Sequence, residues 1–151
     1  MDLVTLCQAL GMAISAGLVI GVALPAVMPP WGALAGAVPI GIVAGVMILT
    51  GNSDPIWPAF LTGPLGAGLA AVVSHDVATG AARRAGAGTT EVGGSASVGI
   101  AALIVIAAIA VAVISIVAPP VALAVFVGLA WTWLMRRRQA ERKHEGLRIL
   151  R

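Results

Sequence analysis

Two stretches of this chain carry no Asp, Glu, Lys, Arg or His side chain at all, and each is too long for one helix of ordinary size. The first runs from Leu3 to Ser53; the second, 44 residues long, runs from Val92 to Met135. The hydrocarbon core of a bilayer is about 30 Å thick and takes about 20 apolar residues of helix, whereas 44 helical residues would reach about 66 Å. Each stretch must therefore fold back on itself. Water is a poor solvent for the result, because only 10% of the chain is charged where soluble domains have about a quarter, and mean hydropathy is +1.04.

Proline marks the fold-back points. It lacks an N–H and disfavours helix at the residue before it, so Pro25, Pro29 and Pro30 divide the first stretch and Pro119-Pro120 the second. The pattern predicts helices over about 3–24, 33–50, 97–118 and 121–135. A further apolar segment over 59–77 holds Pro64, Gly63, Gly66 and Gly68, and reads either as a fifth span or as a re-entrant segment. The predicted fold is all-α: a polytopic transmembrane bundle of five helices, or four plus the re-entrant piece, over residues 1–135, with a basic tail over 136–151. Gly51 to Pro58 reads as a loop and His75 to Glu91 as the main polar loop. Trp31, Trp57, Trp131 and Trp133 fall near segment ends, the depth at which indoles gather.

Charge placement sets the orientation. The tail holds Arg136, Arg137, Arg138, Arg142, Lys143, Arg148 and Arg151 against Glu141 and Glu145, a net +5, so the rest of the chain is −2. Cationic loops stay in the cytoplasm. With five crossings, Arg83, Arg84 and the tail share that face, and the N-terminus and Asp54 lie opposite. The expected location is an inner membrane, multi-pass, with anionic headgroups as partners of Arg83, Arg84, Arg136, Arg137, Arg138, Arg142 and Lys143. Basic residues confined to one tail and one loop beside apolar segments argue against nucleic acid. The tail is expected to extend the last helix into water and to anchor it, with a cytoplasmic partner as the sharper alternative.

Cys7 is the only cysteine, which excludes an intrachain disulfide and a multi-cysteine metal site; it reads as a small hydrophobe. Glycines recur at four-residue spacing in Gly17 and Gly21, Gly32 and Gly36, and Gly41 and Gly45. Such pairs let helices approach closely, chiefly within the chain, with a homo-oligomer or a partner membrane protein as the alternative. Glu91, Ser95 and Ser97 suit a helix N-terminus, and Ser15, Thr50 and Ser115 are expected to bond to their own helix backbones.

The densest polar group is Ser74, His75 and Asp76, with Thr79 one turn on. Histidine titrates near neutrality and a carboxylate accepts from it or holds a cation, so these residues, with Pro64 as a helix break, are the candidates for a proton or cation pathway; the plainer alternative is a wet helix end with Asp76 paired to Arg83. No nucleophile elbow, phosphate loop, paired metal-ligand motif or catalytic carboxylate pair is present, so no enzymatic activity and no cofactor is expected. The leading reading is a small transporter or channel-like protein for protons, cations or a small solute. The alternative is a non-catalytic accessory or assembly subunit of a larger membrane complex.

From about Val73 onward, the order Ser74-His75, Ala81-Ala82-Arg83, Thr89-Thr90, an apolar helix, Ala118-Pro119 and a final aromatic-to-arginine helix end resembles the C-terminal half of a bacterial membrane family catalogued as domain of unknown function 4126. The resemblance implies a helical bundle in a bacterial inner membrane and brings no established activity. The chain departs from the family pattern at Ser95-Ala96-Ser97, where that family carries an acidic pair, and it lacks the acidic-Lys-Ile-Pro signature of the first half.

Overall fold

The structure is a computed structural model that describes residues 2–23, 29–86 and 90–148, with the side chains of residues 30, 82, 84–97 and 140–148 left aside. Five α-helices make up the fold: α1 (Leu3–Ala23), α2 (Pro30–Gly51), α3 (Ala59–Gly86), α4 (Thr90–Val117) and α5 (Pro120–Arg148). No strand occurs among the described residues, so the fold is all-α. Leu3–Ala23, Trp31–Gly51 and Val98–Val117 are long and apolar enough to cross a membrane. The helices α3 and α5 have the length, 28 and 29 residues, but glycine, proline and Ser74-His75-Asp76 dilute the first and the arginines weigh on the second.

The first and last predicted helices match closely, while α3 and α4 differ. The segment read as a polar loop from His75 is helical as far as Gly86, because Ala78, Ala81, Ala82, Arg83, Arg84 and Ala85 are strong helix formers that outweigh the loop signal of scattered charge. Correspondingly α4 opens at Thr90 rather than near residue 97. Glu91, Ser95 and Ser97 thus fall in its first turns, with side chains outside those described; of the break expected from Pro25 to Gly32, residues 25–28 lie outside the described residues and 30–32 already belong to α2. Helix α3 passes unbroken through Pro64, although a proline at the sixth helical position leaves the Phe60 carbonyl without its i+4 N–H. Helix α2 likewise continues through Pro39. It starts on Pro30, at a first-turn position where the missing N–H had no helical partner anyway.

The end of α2 is built from sequence-specific parts. Ser53 adopts φ 59°, the Ser53 N–H donates to Thr50 O (3.1 Å) and the Asp54 N–H to Leu49 O (3.0 Å), and Asn52 Nδ2 donates to Ile48 O (2.9 Å). This is a Schellman ending with serine in the left-handed position that glycine fills most readily.

Side-chain neighbours give the helix directions. Gly17 lies on Ala67 and Gly21 on Ala71 and Ser74, so α1 and α3 run parallel. Gly45 lies on Ala59 while Gly68 meets Leu34, so α2 runs against α3. Gly11 meets Ser115 and Ala122, and Gln8 Nε2 donates to Ile116 O (3.5 Å), so α4 runs against α1. Leu123 and Phe126 share a cleft with Leu3, Leu6, Cys7 and Leu10, which makes α5 parallel to α1. The last turns of α1 and α3 therefore lie at one end, with Arg83, and α5 runs toward that end through Arg136 to Arg138. Asp2, Asp54 and Trp57 lie at the opposite end.

The interior is made of small residues and the outside of large apolar ones. Ala9, Ala13, Ala33, Ala37, Ala59, Ala67, Ala70 and Ala71 are buried, while Leu34, Ile40, Val43, Met47, Leu103, Ile106, Ile109, Val127 and Trp131 are exposed. In water that arrangement would be an extended sticky surface; facing lipid tails, exposed Leu and Ile cost nothing and small residues let backbones meet. Helix α3 is the element both neighbours close upon. A Cβ on Gly63 would stand 2.6 Å from Ile42 N and 2.7 Å from its Cα, and α1 presses on the other side through Gly17 and Gly21. Helix α2 touches neither α4 nor α5 among the described residues, and this leaves a lateral apolar groove of about 290 Å³ walled by Val19, Ile20, Ile40, Ala108 and Ile109.

Gly63→Ala should destabilise the fold by ~1–3 kcal/mol, the usual cost of overpacking, since the new methyl meets backbone that cannot swing aside. Gly80→Ala, with open space around it, should stabilise by ~0.5–1 kcal/mol through helix propensity. Unfolding of the two variants in mixed detergent micelles measures both; equal effects would mean that α2 and α3 are not in backbone contact. Ser53→Gly should add up to ~1 kcal/mol in the same assay by relieving the left-handed position.

Candidate functional site

The polar residues singled out in the sequence separate into three environments. Ser74 and His75 are each only 2% exposed, which leaves no room for a water-sized probe beside them. Asp76 is exposed, and Thr79 is half-buried with its hydroxyl donating to Asp76 O (3.3 Å). Pro64 is half-buried and lies about 16 Å from His75 along the α3 axis. The structure thus joins Ser74 to His75 but does not bring Pro64 to them, and no ion pair links Asp76 to Arg83 among the described residues.

His75 reaches across to α1. Its Nδ1 lies 3.3 Å from Gly21 O, and since a carbonyl oxygen only accepts, the imidazole presents Nδ1–H to it. Gly21 is in the last turn of α1, which ends at Ala23, and the last four carbonyls of a helix have no partner within it. An orphan carbonyl away from water is costly. His75 satisfies one from a neighbouring helix. Glycine at position 21 is what permits this, because the space a Cβ would need is filled by Ser74 Oγ and Ala71 O; the two backbones come close enough for an imidazole to bridge them. The Ser74 hydroxyl donates to Ala71 O (3.2 Å), one turn back on its own helix.

The other helix hydroxyls behave alike, as expected of Ser15, Thr50 and Ser115: they donate to Met12 O (2.8 Å), Val46 O (2.8 Å) and Ala112 O (2.8 Å) respectively, the exposed Thr50 included. Thr62 donates to Pro58 O (3.1 Å). No buried side-chain nitrogen or oxygen among the described residues lacks a partner. Cys7 is buried, in keeping with its reading as a small hydrophobe.

The cationic candidates lie at the same end as His75. Arg83, Arg136, Arg137 and Arg138 are exposed, and the Arg137 guanidinium sits over the Trp133 ring, 5.6 Å from its centroid. The side chains of Arg84, Arg142 and Lys143 lie outside those described. Sequence reasoning noticed both Gly21 and His75 without relating them, since residues 54 positions apart give no local sign of meeting. It also passed over Pro39, which is exposed within α2.

No known family model, curated protein or solved structure matches this chain.

Replacing His75 with alanine should cost ~1–3 kcal/mol, the range for stranding a buried polar partner, while Asp76→Ala should stay within ~0.5 kcal/mol, as at ordinary exposed positions. Unfolding in mixed micelles again provides the measurement. A larger loss at Asp76 than at His75 would contradict the bridging role.

Proposed function

We propose that this chain is a multi-pass protein of a bacterial inner membrane, with all five helices crossing and the C-terminal tail in the cytoplasm, and that it serves as a non-catalytic accessory or assembly subunit of a larger membrane complex. The crossing of α3 is supported by its place between α1 and α2, both long and apolar enough to span, in direct backbone contact with each. That of α5 is supported by its parallel packing on α1. The gathering of Arg83 and Arg136 to Arg138 at one end, with Asp2 and Asp54 at the other, favours the orientation.

One observation carries the functional part. Of the side chains best suited to a pathway, His75 is engaged with the Gly21 carbonyl of α1 and Ser74 with Ala71 O of its own helix, and both are buried. The glycine pairs of α1 and α2 for which neighbours are defined, Gly17 with Gly21 and Gly41 with Gly45, are likewise used inside the chain. Surface for a partner is then left on the hairpin of α4 and α5, where only Ala108 and Ser115 of residues 98–117 and only Ala122 of residues 120–139 are buried, and on the basic tail. A transport role has one observation in its favour, an ionisable side chain enclosed beside the exposed Asp76.

Two measurements separate these readings. Recovery from native membranes should yield a second membrane protein with the full chain and lose it when residues 136–151 are deleted. Reconstituted liposomes should show no flux of protons or cations; a flux abolished by Asp76→Asn would overturn the accessory role. For topology, in a Cys7→Ala background, Ile56→Cys should react with an impermeant thiol reagent only from outside, and Gly86→Cys and Gln139→Cys only from the cytoplasmic side. Positions 56 and 86 reporting the same side would remove the α3 crossing.

A further inference from the structure

The three consecutive arginines that follow the apolar part of α5 project in different directions, because successive helical residues are about 100° apart. Arg137 is engaged with Trp133, four residues earlier on its own face. Arg138 instead closes the top of a notch of about 120 Å³ whose other walls are Trp131, Leu134 and Met135. These positions recur at three- and four-residue spacing and so form a single stripe, with all four side chains exposed.

Along the helix the notch runs from the Trp131 indole through Leu134 and Met135 to the Arg138 guanidinium, so an apolar wall with an interfacial indole leads up to a single cation. A pocket this size is well below the several hundred Å³ that enclose a drug-sized molecule and too small for a helix. A free phosphate would use Arg138 and leave the apolar walls uncovered. We infer that the notch of Trp131, Leu134, Met135 and Arg138 seats one anionic phospholipid, its phosphate on the Arg138 guanidinium and its glycerol and upper acyl carbons against the other three. Arg136, on a different face, and Arg137, stacked on Trp133, take no part.

This inference rests on the reading that α5 crosses the bilayer with its arginines at the interface, and the test keeps the two apart. Trp31, Trp57 and Trp133, all exposed, are changed to phenylalanine, so that Trp131 is the one indole left. The protein is placed in vesicles of phosphatidylcholine with a minor fraction of phosphatidylglycerol, and bromine is carried on the acyl chains of one lipid or the other. Quenching of Trp131 should report an enrichment of phosphatidylglycerol of about fivefold, one arginine's contribution next to an anionic lipid. Arg138→Gln should abolish the enrichment and Arg136→Gln should preserve it. Equal quenching by both lipids, or an enrichment that survives Arg138→Gln, overturns the site while leaving the crossing in place; absence of quenching by either lipid overturns the crossing and the site together. Native mass spectrometry of the chain with all its tryptophans gives a second readout: retained phosphatidylglycerol should fall with Arg138→Gln and not with Arg136→Gln, and retention unaffected by both would overturn the site.

Discussion

Everything else in this fold depends on how closely the backbone of α3 lies to those of α1 and α2. Between helices in lipid there is no gain from hiding apolar surface, since tails are as apolar as leucine; what remains is dispersion, which falls off steeply with distance, and polar contact between backbones. Both require the side chain at the crossing to vanish. Gly17, Gly21, Gly41, Gly45 and Gly63 supply that condition, with alanines of the partner helix filling the space. The large side chains are displaced outward to Leu34, Val43, Met47 and Leu65. The inversion of the soluble pattern is thus a consequence of the close crossings rather than a separate feature.

Closeness also settles the polar groups. A serine or threonine in a helix away from water has its own carbonyls three and four residues back as the nearest acceptors, and the buried hydroxyls of Ser15, Thr62, Ser74 and Ser115 use them. A histidine cannot do so easily, because its ring is held away from its own backbone. His75 therefore looks outward, and what it finds is the one kind of backbone group that a helix leaves unsatisfied, a last-turn carbonyl at Gly21. The same residue that would be a proton carrier in a wet cavity is a capping group in a dry contact. What decides between the two roles is the missing Cβ at Gly21.

How much of this could be read from the chain follows from the range of the signal. The uncharged stretches, the prolines and the arginines act locally, and they give the all-α class, the boundaries of α1, α2 and α5, and the charge separation between ends. The end of α3 was missed because charge scattered among alanines resembles a loop, whereas alanine propensity governs the backbone. Glycine spacing correctly marked α1 and α2 as close-packing elements but could not name α3 as their common partner. The meeting of Gly21 with His75 is a tertiary fact with no sequence periodicity behind it, and this is why the polar cluster read as a pathway.

The fold is consequently uneven. Helices α1, α2 and α3 enclose one another, and Gly17, Gly21, Gly41, Gly45, Gly63 and the buried His75 are used in doing so. The hairpin of α4 and α5 is attached differently: Val111, Val125, Phe126 and Leu129 pack on Leu10, Ile14 and Ala70, a patch on one side of the three-helix unit, and α2 is left untouched. Close packing resists rearrangement, since every glycine crossing would have to open at the cost of its backbone contacts, so an alternating-access motion would have to occur at the hairpin rather than within the unit. The hairpin, however, carries few polar side chains in its apolar part: Ser115 is bonded to Ala112 O and Thr132 to Leu129 O. What it does bring is a long apolar face ending in tryptophans and arginines. A surface of that kind suits lipid and other helices, and this is the physical reason behind the proposed accessory role.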